Sequence, residues 1–353
     1  MIIEDNPKET RKSKPSANPD LATTSKQSEQ SFENNIRPLN FEEYIGQNAI
    51  KETLKITIEA SKKRNSNLDH MLFYGPPGLG KTTLALIIAH EMGVNIKITS
   101  APSIERPRDI IGILMQLKEG EILFIDEIHR LNKIAEEILY PAMEDFMIDL
   151  TTGKNTSVKT MRIPVSKFCL IGATTKAGAL SGPLRDRFGI IHRLEYYTTE
   201  ELSKIVLRSA DILNYKIDNN GAKEIAQRSR CTPRIANRLI KRCADWAIVK
   251  GEGVITQDIA KSALDSLDID EAGLDITDRN MLELMIKSFN GGPVGIETIA
   301  TALGEDIRTI EDVYEPFLIQ KGFLLRTPRG RKVTQKACEH LGFKITNSQL
   351  QLF

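Results

Sequence analysis

The segment GPPGLGKTT, residues 75–83, has the glycine, lysine and threonine spacing of a loop that binds phosphate. It lies between an apolar run and a helical pattern, which is the context that such a loop requires. There the glycines let backbone N–H groups surround phosphate oxygens, Lys81 reaches the β- and γ-phosphates, and Thr82 offers its hydroxyl to Mg²⁺. An ordinary Gly-Pro turn is the alternative. The spacing and its context together predict a nucleotide site.

A second segment, ILFIDEIHRL, runs from four apolar residues into two consecutive acids. Asp126, at the end of the predicted strand, would hold the Mg²⁺ shell, and Glu127 would polarise a water for attack on the γ-phosphate. A helix N-cap is the alternative for this pair. His129 is given no catalytic role, because a lone histidine at a helix start more often packs or caps.

The segment SGPLRDRFGI places a third candidate, Arg187, after a run of small residues. An arginine inserted at a γ-phosphate stabilises the charge of phosphoryl transfer, whether it comes from the same chain or from a neighbour. The alternative for this stretch taken alone is a surface ladder of Arg185, Asp186 and Arg187, which would have little energetic value. The nucleotide motifs upstream favour the phosphate contact.

Short apolar runs that alternate with helical periodicity must position these residues. HMLFYG, EILFID and FCLIGATT are predicted strands, and KTTLALIIAHEMG is a predicted helix that ends at Gly93. This alternation predicts a parallel α/β sheet. After about Thr198 the apolar spacing becomes helical. The last part reads as three helices followed by two short strands, the order of a winged helix-turn-helix.

These patterns divide the chain into five predicted parts. The first 34 residues have almost no apolar side chains and predict a disordered tail. Between Asp149 and Pro164 the polar and β-branched sequence predicts a hairpin that projects from the sheet. The predicted parts are 1–34, tail; 35–198, α/β ATPase domain; 199–270, small all-α subdomain; 271–345, winged-helix domain; and 346–353, C-terminal tail.

Composition excludes several classes of protein. Lys and Arg total 48 against 47 Asp and Glu, so the net charge says nothing about a polyanionic partner. The four cysteines form no C-x-x-C pair and no zinc-like cluster with histidine, which favours reduced thiols. No signal peptide and no run of about eighteen apolar residues occurs, so a cytoplasmic protein is expected.

The overall balance conceals one basic stretch, residues 316–337, which contains no acid. On a winged helix its RTPRGR segment would form the wing hairpin and hold arginines toward DNA phosphates. A solvated basic face is the alternative. The cations of this stretch are Lys321, Arg326, Arg329, Arg331, Lys332 and Lys336.

Seven motifs in one order resemble the AAA+ ATPases, and in particular those that drive branch migration of Holliday junctions. They are RPLNFEEYIGQ, GPPGLGKTTLA, FIDEIHRL, PLRDRFGI, TPRIANRL, GGPVG and RTPRGR, and they cover about residues 35–345. The resemblance implies an α/β P-loop AAA+ large domain with a parallel sheet, a small all-α subdomain and a C-terminal winged helix. It also implies ATP and Mg²⁺ as cofactors and a homo-oligomeric ring, a hexamer.

The resemblance also implies roles for individual residues. Arg187 would enter the neighbouring subunit's nucleotide site, and Arg234 would contact phosphate from the helical subdomain as a second sensor. Cys231 stands where the family usually has glycine. Either Thr174 or Thr175 would lie between the phosphate and the Asp126 strand. Further nucleotide contacts carried over by motif are Ile36, Arg37, Gly78, Thr83, Glu144, Asp145, Phe146 and Tyr197; the DNA contacts are Arg326 and Arg331.

The resemblance finally implies partners. These are double-stranded DNA, four-way junctions, a junction-binding protein that meets the hairpin, and a resolvase. Ile148, Leu150 and Met161 alternate with polar residues and would offer that protein an apolar edge. The expected function is an ATP-driven motor on duplex DNA that moves junctions. A protein-remodelling chaperone, or a DNA-binding regulator that does not hydrolyse ATP, stays open as an alternative.

Overall fold

The computed structural model describes residues 35–152 and 159–343, with the side chains of 150–160 left out. The two predicted tails and the tip of the predicted hairpin lie outside the described residues. The chain divides into an N-terminal unit that ends at Arg37 and a larger unit that begins at Pro38. The elements below belong to the larger unit.

The α/β part is built on a five-stranded parallel sheet. In chain order the strands of this part, including the hairpin pair β4 and β5, are β1 (Met71–Tyr74), β2 (Ile96–Ser100), β3 (Ile122–Asp126), β4 (Met147–Thr152), β5 (Lys159–Pro164), β6 (Cys169–Thr174) and β7 (Ile190–Arg193). The order across the sheet is β2-β3-β6-β1-β7. Its helices are α1 (Asn48–Arg64), α2 (Lys81–Met92), α3 (Pro107–Met115), α4 (Lys133–Glu144) and α5 (Gly182–Asp186).

The central strands β1, β3 and β6 are buried on both faces, as is usual in parallel sheets, and that explains why they read as continuous apolar runs. Successive residues of a strand point to opposite faces. Phe73 and Phe124 therefore pack in one core cluster, while Leu72 and Leu123 pack in the other. The predicted parallel α/β sheet is confirmed.

The helical subdomain follows β7 and contains α6 (Thr199–Ile212), α7 (Asn219–Gln227), α8 (Pro233–Lys250) and α9 (Gln257–Asp265). Its first helix begins with a capping box in which Thr198 and Glu201 bond each other's backbone N–H groups. A short parallel pair, β8 (Lys216–Ile217) with β9 (Val254–Ile255), ties its loops together. Sequence periodicity did not predict this pair because two-residue strands carry no period.

The C-terminal part is a winged helix with its own core. In chain order it contains α10 (Ile276–Phe289), α11 (Ile296–Leu303), α12 (Ile307–Thr309), a π-helical turn (Ile310–Tyr314), α13 (Glu315–Gln320), β10 (Leu324–Thr327), β11 (Gly330–Val333) and α14 (Gln335–His340). Strands β10 and β11 pair antiparallel and form the wing. The predicted order of helices and strands is confirmed.

The predicted hairpin is present as the antiparallel pair β4 and β5, but its apolar edge is not as expected. Ile148 lies on the same face as Met161 and is fully buried in the second core cluster, whereas Met161 is 53% exposed. Ile148 therefore anchors the hairpin to the core of the α/β part and cannot face a partner.

Within residues 35–152 and 159–343, no helix combines the length and the apolar character that a membrane span needs.

Candidate nucleotide site and DNA-binding wing

The phosphate loop runs between β1 and α2, with a tight backbone that only glycine fits at two points. Gly75 has φ +140°, and a Cβ there would lie 2.6 Å from the carbonyl oxygen of Leu194. Gly78 has φ +80°, and a Cβ there would lie 3.2 Å from the Cβ of Arg234. The loop thus packs against both the α/β part and the helical subdomain.

Lys81 is the first residue of α2 and is buried within this loop. Its Nζ donates hydrogen bonds to the carbonyl oxygens of Gly75 at 2.7 Å and Pro76 at 2.9 Å. Burial lowers the pKa of Lys81 to about 8, against the opposing charges of Glu127 and Asp126. The ammonium group therefore lies in the loop, where phosphate oxygens would take the place of these two carbonyl oxygens as its hydrogen-bond acceptors.

The two acids occupy different positions at the end of β3. Asp126 is the last residue of the strand, and burial raises the pKa of its carboxyl. Glu127 has a left-handed backbone, φ +48°, and its N–H donates to Asp126 Oδ1 at 3.0 Å. Neither side chain caps the short 3₁₀ turn that follows, Ile128–Arg130. The N-cap alternative is not what the structure shows.

Thr175 is the threonine that contacts Glu127. Its Oγ1 donates to Glu127 Oε2 at 3.1 Å. Thr174 turns instead to His129, whose Nδ1 lies 2.8 Å from Thr174 Oγ1 and 3.2 Å from Glu127 Oε2. Burial lowers the pKa of His129, which favours its neutral form. A carboxylate that would polarise water is thus oriented through one oxygen, Oε2, which both a hydroxyl and an imidazole contact.

The helical subdomain reaches the phosphate loop through the start of α8. The N–H of Arg234 donates to the carbonyl oxygen of Gly78 at 3.4 Å. Just before it, Arg230 and Cys231 both have left-handed backbones, φ +53° and +57°. The position where glycine is usual therefore does require the conformation that glycine tolerates best.

Tyr197 is a buried aromatic beneath the loop. Its hydroxyl donates to the carbonyl oxygen of Leu79 at 3.2 Å and lies 3.0 Å from the hydroxyl of Tyr44. The structure thus places Tyr197 against the loop backbone. Ile36 and Arg37 belong to the separate N-terminal unit, and their nucleotide contacts stay a prediction.

Arg187 lies far from its own phosphate loop. It follows α5 and precedes β7, whose first residue, Ile190, pairs with Met71 at the opposite end of β1 from the loop. Its Nη1 donates to the carbonyl oxygen of Pro183 at 2.8 Å, and its Nη2 is 3.1 Å from Glu144 Oε1. The guanidinium also stacks 4.4 Å from the ring centre of Tyr140.

The three consecutive residues 144–146, also predicted to contact nucleotide, lie near Arg187. Glu144 ends α4 and pairs with Arg187, while Asp145 pairs with Arg162 at 2.9 Å. Phe146 packs edge-on against Phe168. The structure therefore places four predicted nucleotide contacts close together in space, and Glu144, Phe146 and Arg187 line one pocket.

The wing arginines are not equally accessible. Arg326 has a side chain that is 63% exposed, with its Nε 3.9 Å from Glu315 Oε1. Arg331 is buried, and its Nη2 lies 2.9 Å from Glu315 Oε2 and 3.3 Å from Glu311 Oε1. Arg331 thus turns inward, where two acids just before the acid-free stretch neutralise it, and its contact with DNA phosphate stays a prediction.

Comparison with known proteins places this geometry in a family. Residues 36–194 match the Holliday junction DNA helicase RuvB P-loop domain, 197–270 match the RuvB AAA lid domain, and 271–342 match the RuvB C-terminal winged helix domain. The chain belongs to the RuvB family. This confirms the resemblance on which the sequence analysis relied.

Individual RuvB proteins cover nearly the whole chain. The Holliday junction branch migration complex subunit RuvB of Nostoc sp. is 60% identical over 320 residues, 91% of this chain and 87% of that protein. The protein of the same name from Crocosphaera subtropica is 58% identical over 327 residues, 93% and 92% of the two chains. The structure of the Thermotoga maritima RuvB Holliday junction branch migration motor superposes with a TM-score of 0.81 at 47% identity, covering 88% of this chain and all of that one.

Three features of this RuvB-family site escaped the sequence analysis. They are the contact of His129 with Glu127, the pairing of Glu144 with Arg187, and the acids that hold Arg331. The second and third join residues on different elements, whereas His129 and Glu127 lie two residues apart on one turn. The nearest available signal was the position of Glu311 and Glu315 on the helix just before the basic stretch.

Proposed function

We propose that this protein is an ATP-driven motor that forms a ring on duplex DNA and drives branch migration of Holliday junctions in recombination and repair. The observation that carries the proposal is the split site: Lys81 and Glu127 lie at one end of the sheet, while Arg187 lies at the other. A site divided in this way is complete only between two subunits.

Nucleotide binding follows from the phosphate loop, and Mg²⁺ fits the residues beside it. Thr82 and Asp126 would hold the ion, since a hydroxyl and a carboxylate are the hard oxygen donors that Mg²⁺ prefers. Burial already raises the pKa of the Asp126 carboxyl, so a cation there would offset its desolvation. When bound, Mg²⁺ would neutralise charge on the β- and γ-phosphates.

The chain's own residues would divide the remaining tasks. Lys81 binds the β- and γ-phosphates, Glu127 polarises the attacking water, and Thr175 holds Glu127 in place. Arg234 contacts phosphate from the helical subdomain. Gly78, Thr83 and Tyr197 complete the same side of the nucleotide.

The other side of the nucleotide would come from the next subunit. Its Arg187 stabilises the charge that develops on the γ-phosphate, which contributes on the order of 10³-fold or more in rate. Glu144, Asp145 and Phe146 share this surface with Arg187 and would line the same interface. A head-to-tail interface completes every site only when it closes into a ring, and the family resemblance implies a ring of six.

The winged helix would meet DNA through the wing. Exposed Arg326 binds phosphate, and Arg331 does so once it leaves Glu311 and Glu315. Partners of the ring are a RuvA-like junction-binding protein, reached by the β4–β5 hairpin near Met161, and a RuvC-like resolvase. We expect the protein to act in the cytoplasm. The relatives give no support to a protein-remodelling chaperone.

Replacing Glu127 with Gln tests the function directly. The variant should bind ATP, stop turnover and fail to move a synthetic four-way junction, whereas the wild-type protein should show ATPase activity that junction DNA stimulates. A regulator that only binds ATP would not need Glu127. Full junction movement by the Glu127→Gln variant would therefore refute the proposed motor.

A further inference from the structure

One segment of the winged-helix domain contacts all three parts of the machinery. This segment, here called the connector helix, comprises the π-helical turn Ile310–Tyr314 and α13, Glu315–Gln320. π-Helical turns inside helices are rare and occur often at functional sites. The connector helix has no role in the nucleotide site described above.

Its first contact is with the loop that holds Glu127. Lys176 Nζ lies 2.9 Å from Asp312 Oδ1 on the π-helical turn. Lys176 directly follows Thr175, and its N–H donates to Thr174 Oγ1 at 3.0 Å. An ion pair therefore joins the residues that orient the hydrolytic carboxylate to the winged-helix domain.

Its second contact is with the turn that carries Arg234. Arg230 donates from Nη2 to the carbonyl oxygen of Val313 at 3.2 Å and stacks 4.4 Å from the ring centre of Phe317. The Nη1 of the same guanidinium donates to Asp278 Oδ2, a fully buried carboxylate, at 2.7 Å. Breaking a buried pair leaves an uncompensated charge, so this contact fixes the winged helix to the helical subdomain.

Its third contact is with the wing. Glu311 and Glu315, one helical turn apart on the connector helix, hold Arg331 and lie within 4.0 Å of Arg326. Because Glu311 is adjacent to Asp312 in the chain, a phosphate that draws these arginines away acts on the same turn that Lys176 holds.

The Lys176–Asp312 contact and the Arg230–Asp278 contact differ in how easily they break. The side chains of Lys176 and Asp312 are 41% and 42% exposed, and an ion pair so open to water stabilises weakly. The side chains of Arg230 and Asp278 are 11% and 0% exposed. The first contact can release while the second holds.

We propose that the Lys176–Asp312 ion pair is a releasable contact that couples the state of the Thr174–Lys176 loop to the position of the DNA-binding wing. The winged helix moves with the helical subdomain through Arg230, and the ion pair makes that movement depend on the loop beside Glu127. Coupling between two binding sites is reciprocal. If nucleotide changes the affinity of the wing for DNA, then DNA on the wing changes the affinity of the nucleotide site by the same factor. The inference rests on the proposed function, which supplies the DNA and the ATP hydrolysis. Lys176 and Asp312 are positioning residues and touch no reacting atom.

The test compares ATPase activity with and without four-way junction DNA for full-length Asp312→Asn. The basal kcat and the KM for ATP should match the wild-type values, while the stimulation by DNA should fall about two- to fivefold, the range expected for one exposed pair. Glu283→Gln is the matched control, since it removes an exposed partner of Lys287 within α10 and should leave stimulation unchanged.

A charge swap separates coupling from structural damage. Asp312→Lys alone should lose stimulation, and Asp312→Lys combined with Lys176→Asp should recover it to at least half. If the wild-type protein is stimulated and Asp312→Asn is stimulated equally, the coupling is refuted and the motor stands. If junction DNA does not stimulate the wild-type protein, the proposed function fails, and the inference fails with it.

Discussion

Lys81 and Arg187 lie at opposite ends of strand β1. Lys81 follows the loop at the C-terminal end, whereas Arg187 precedes β7 where Ile190 pairs with Met71. A strand of four residues spans about 10 Å, and the loop adds to that distance. The guanidinium is also turned toward Glu144. One subunit therefore cannot bring both groups to one γ-phosphate.

Mixing inactive subunits tests this separation. Arg187→Ala and Lys81→Ala should each abolish ATPase activity, yet an equimolar mixture should recover activity. In random rings about one quarter of the interfaces pair an intact Lys81 with an intact Arg187. The measurement is ATP turnover of each variant and of the mixture, with Arg242→Ala, which removes an exposed arginine of α8, as an active control. A mixture as inactive as its components would contradict a shared site.

Thr175→Val should slow hydrolysis without weakening ATP binding. The substitution keeps the shape but removes the hydroxyl that donates to Glu127 at 3.1 Å, so the carboxylate loses its orientation. We expect kcat to fall about tenfold to a hundredfold, the range for losing one oriented polar group at a reacting centre. Steady-state kinetics and ATP titration separate the two effects. Thr301→Val, on the exposed face of α11, is the control and should change neither.

Glu311, which contacts the wing arginines, should lower the affinity of the protein for DNA. Glu311→Gln removes a charge that competes with phosphate for Arg331 and Arg326, so affinity for duplex DNA should rise about two- to fivefold. Arg326→Ala should lower affinity and reduce the slope of log K against log salt by about 0.9, as expected for one lost phosphate contact. The measurement is a fluorescence titration at several salt concentrations.

A matched acid separates this competition from net charge. Glu297→Gln makes the same charge change at an exposed site on α11 and should leave the affinity within about 1.5-fold. An equal rise in both glutamine variants would show that only overall charge matters.

The variant with glycine at position 231 should be more stable toward unfolding than the variant with alanine there. The φ of +57° at Cys231 is a left-handed conformation that a Cβ disfavours, so Cys231→Gly should unfold with a free energy about 1 kcal/mol higher than Cys231→Ala. Urea unfolding of the two variants measures the difference. Cys243, buried within α8, supplies the opposite control, because there glycine should be about 1 kcal/mol less stable than alanine. The same order at both positions would argue against backbone strain at Cys231.

The sequence by itself determined the features that depend on neighbouring residues. The glycines and lysine of the phosphate loop, the acids at the end of β3 and the end of α2 at Gly93 are local, because turn conformation and strand burial follow from residues close in the chain. The parallel α/β sheet and the winged helix also followed from patterns of this kind.

Only the tertiary structure decided which distant side chains meet. It chose Thr175 over Thr174 as the partner of Glu127, placed Arg187 beyond reach of its own Lys81, and turned Arg331 toward Glu315. Each outcome depends on the packing of separate elements against one another. The spacing of residues along the chain does not predict the direction in which a side chain points once these elements have packed.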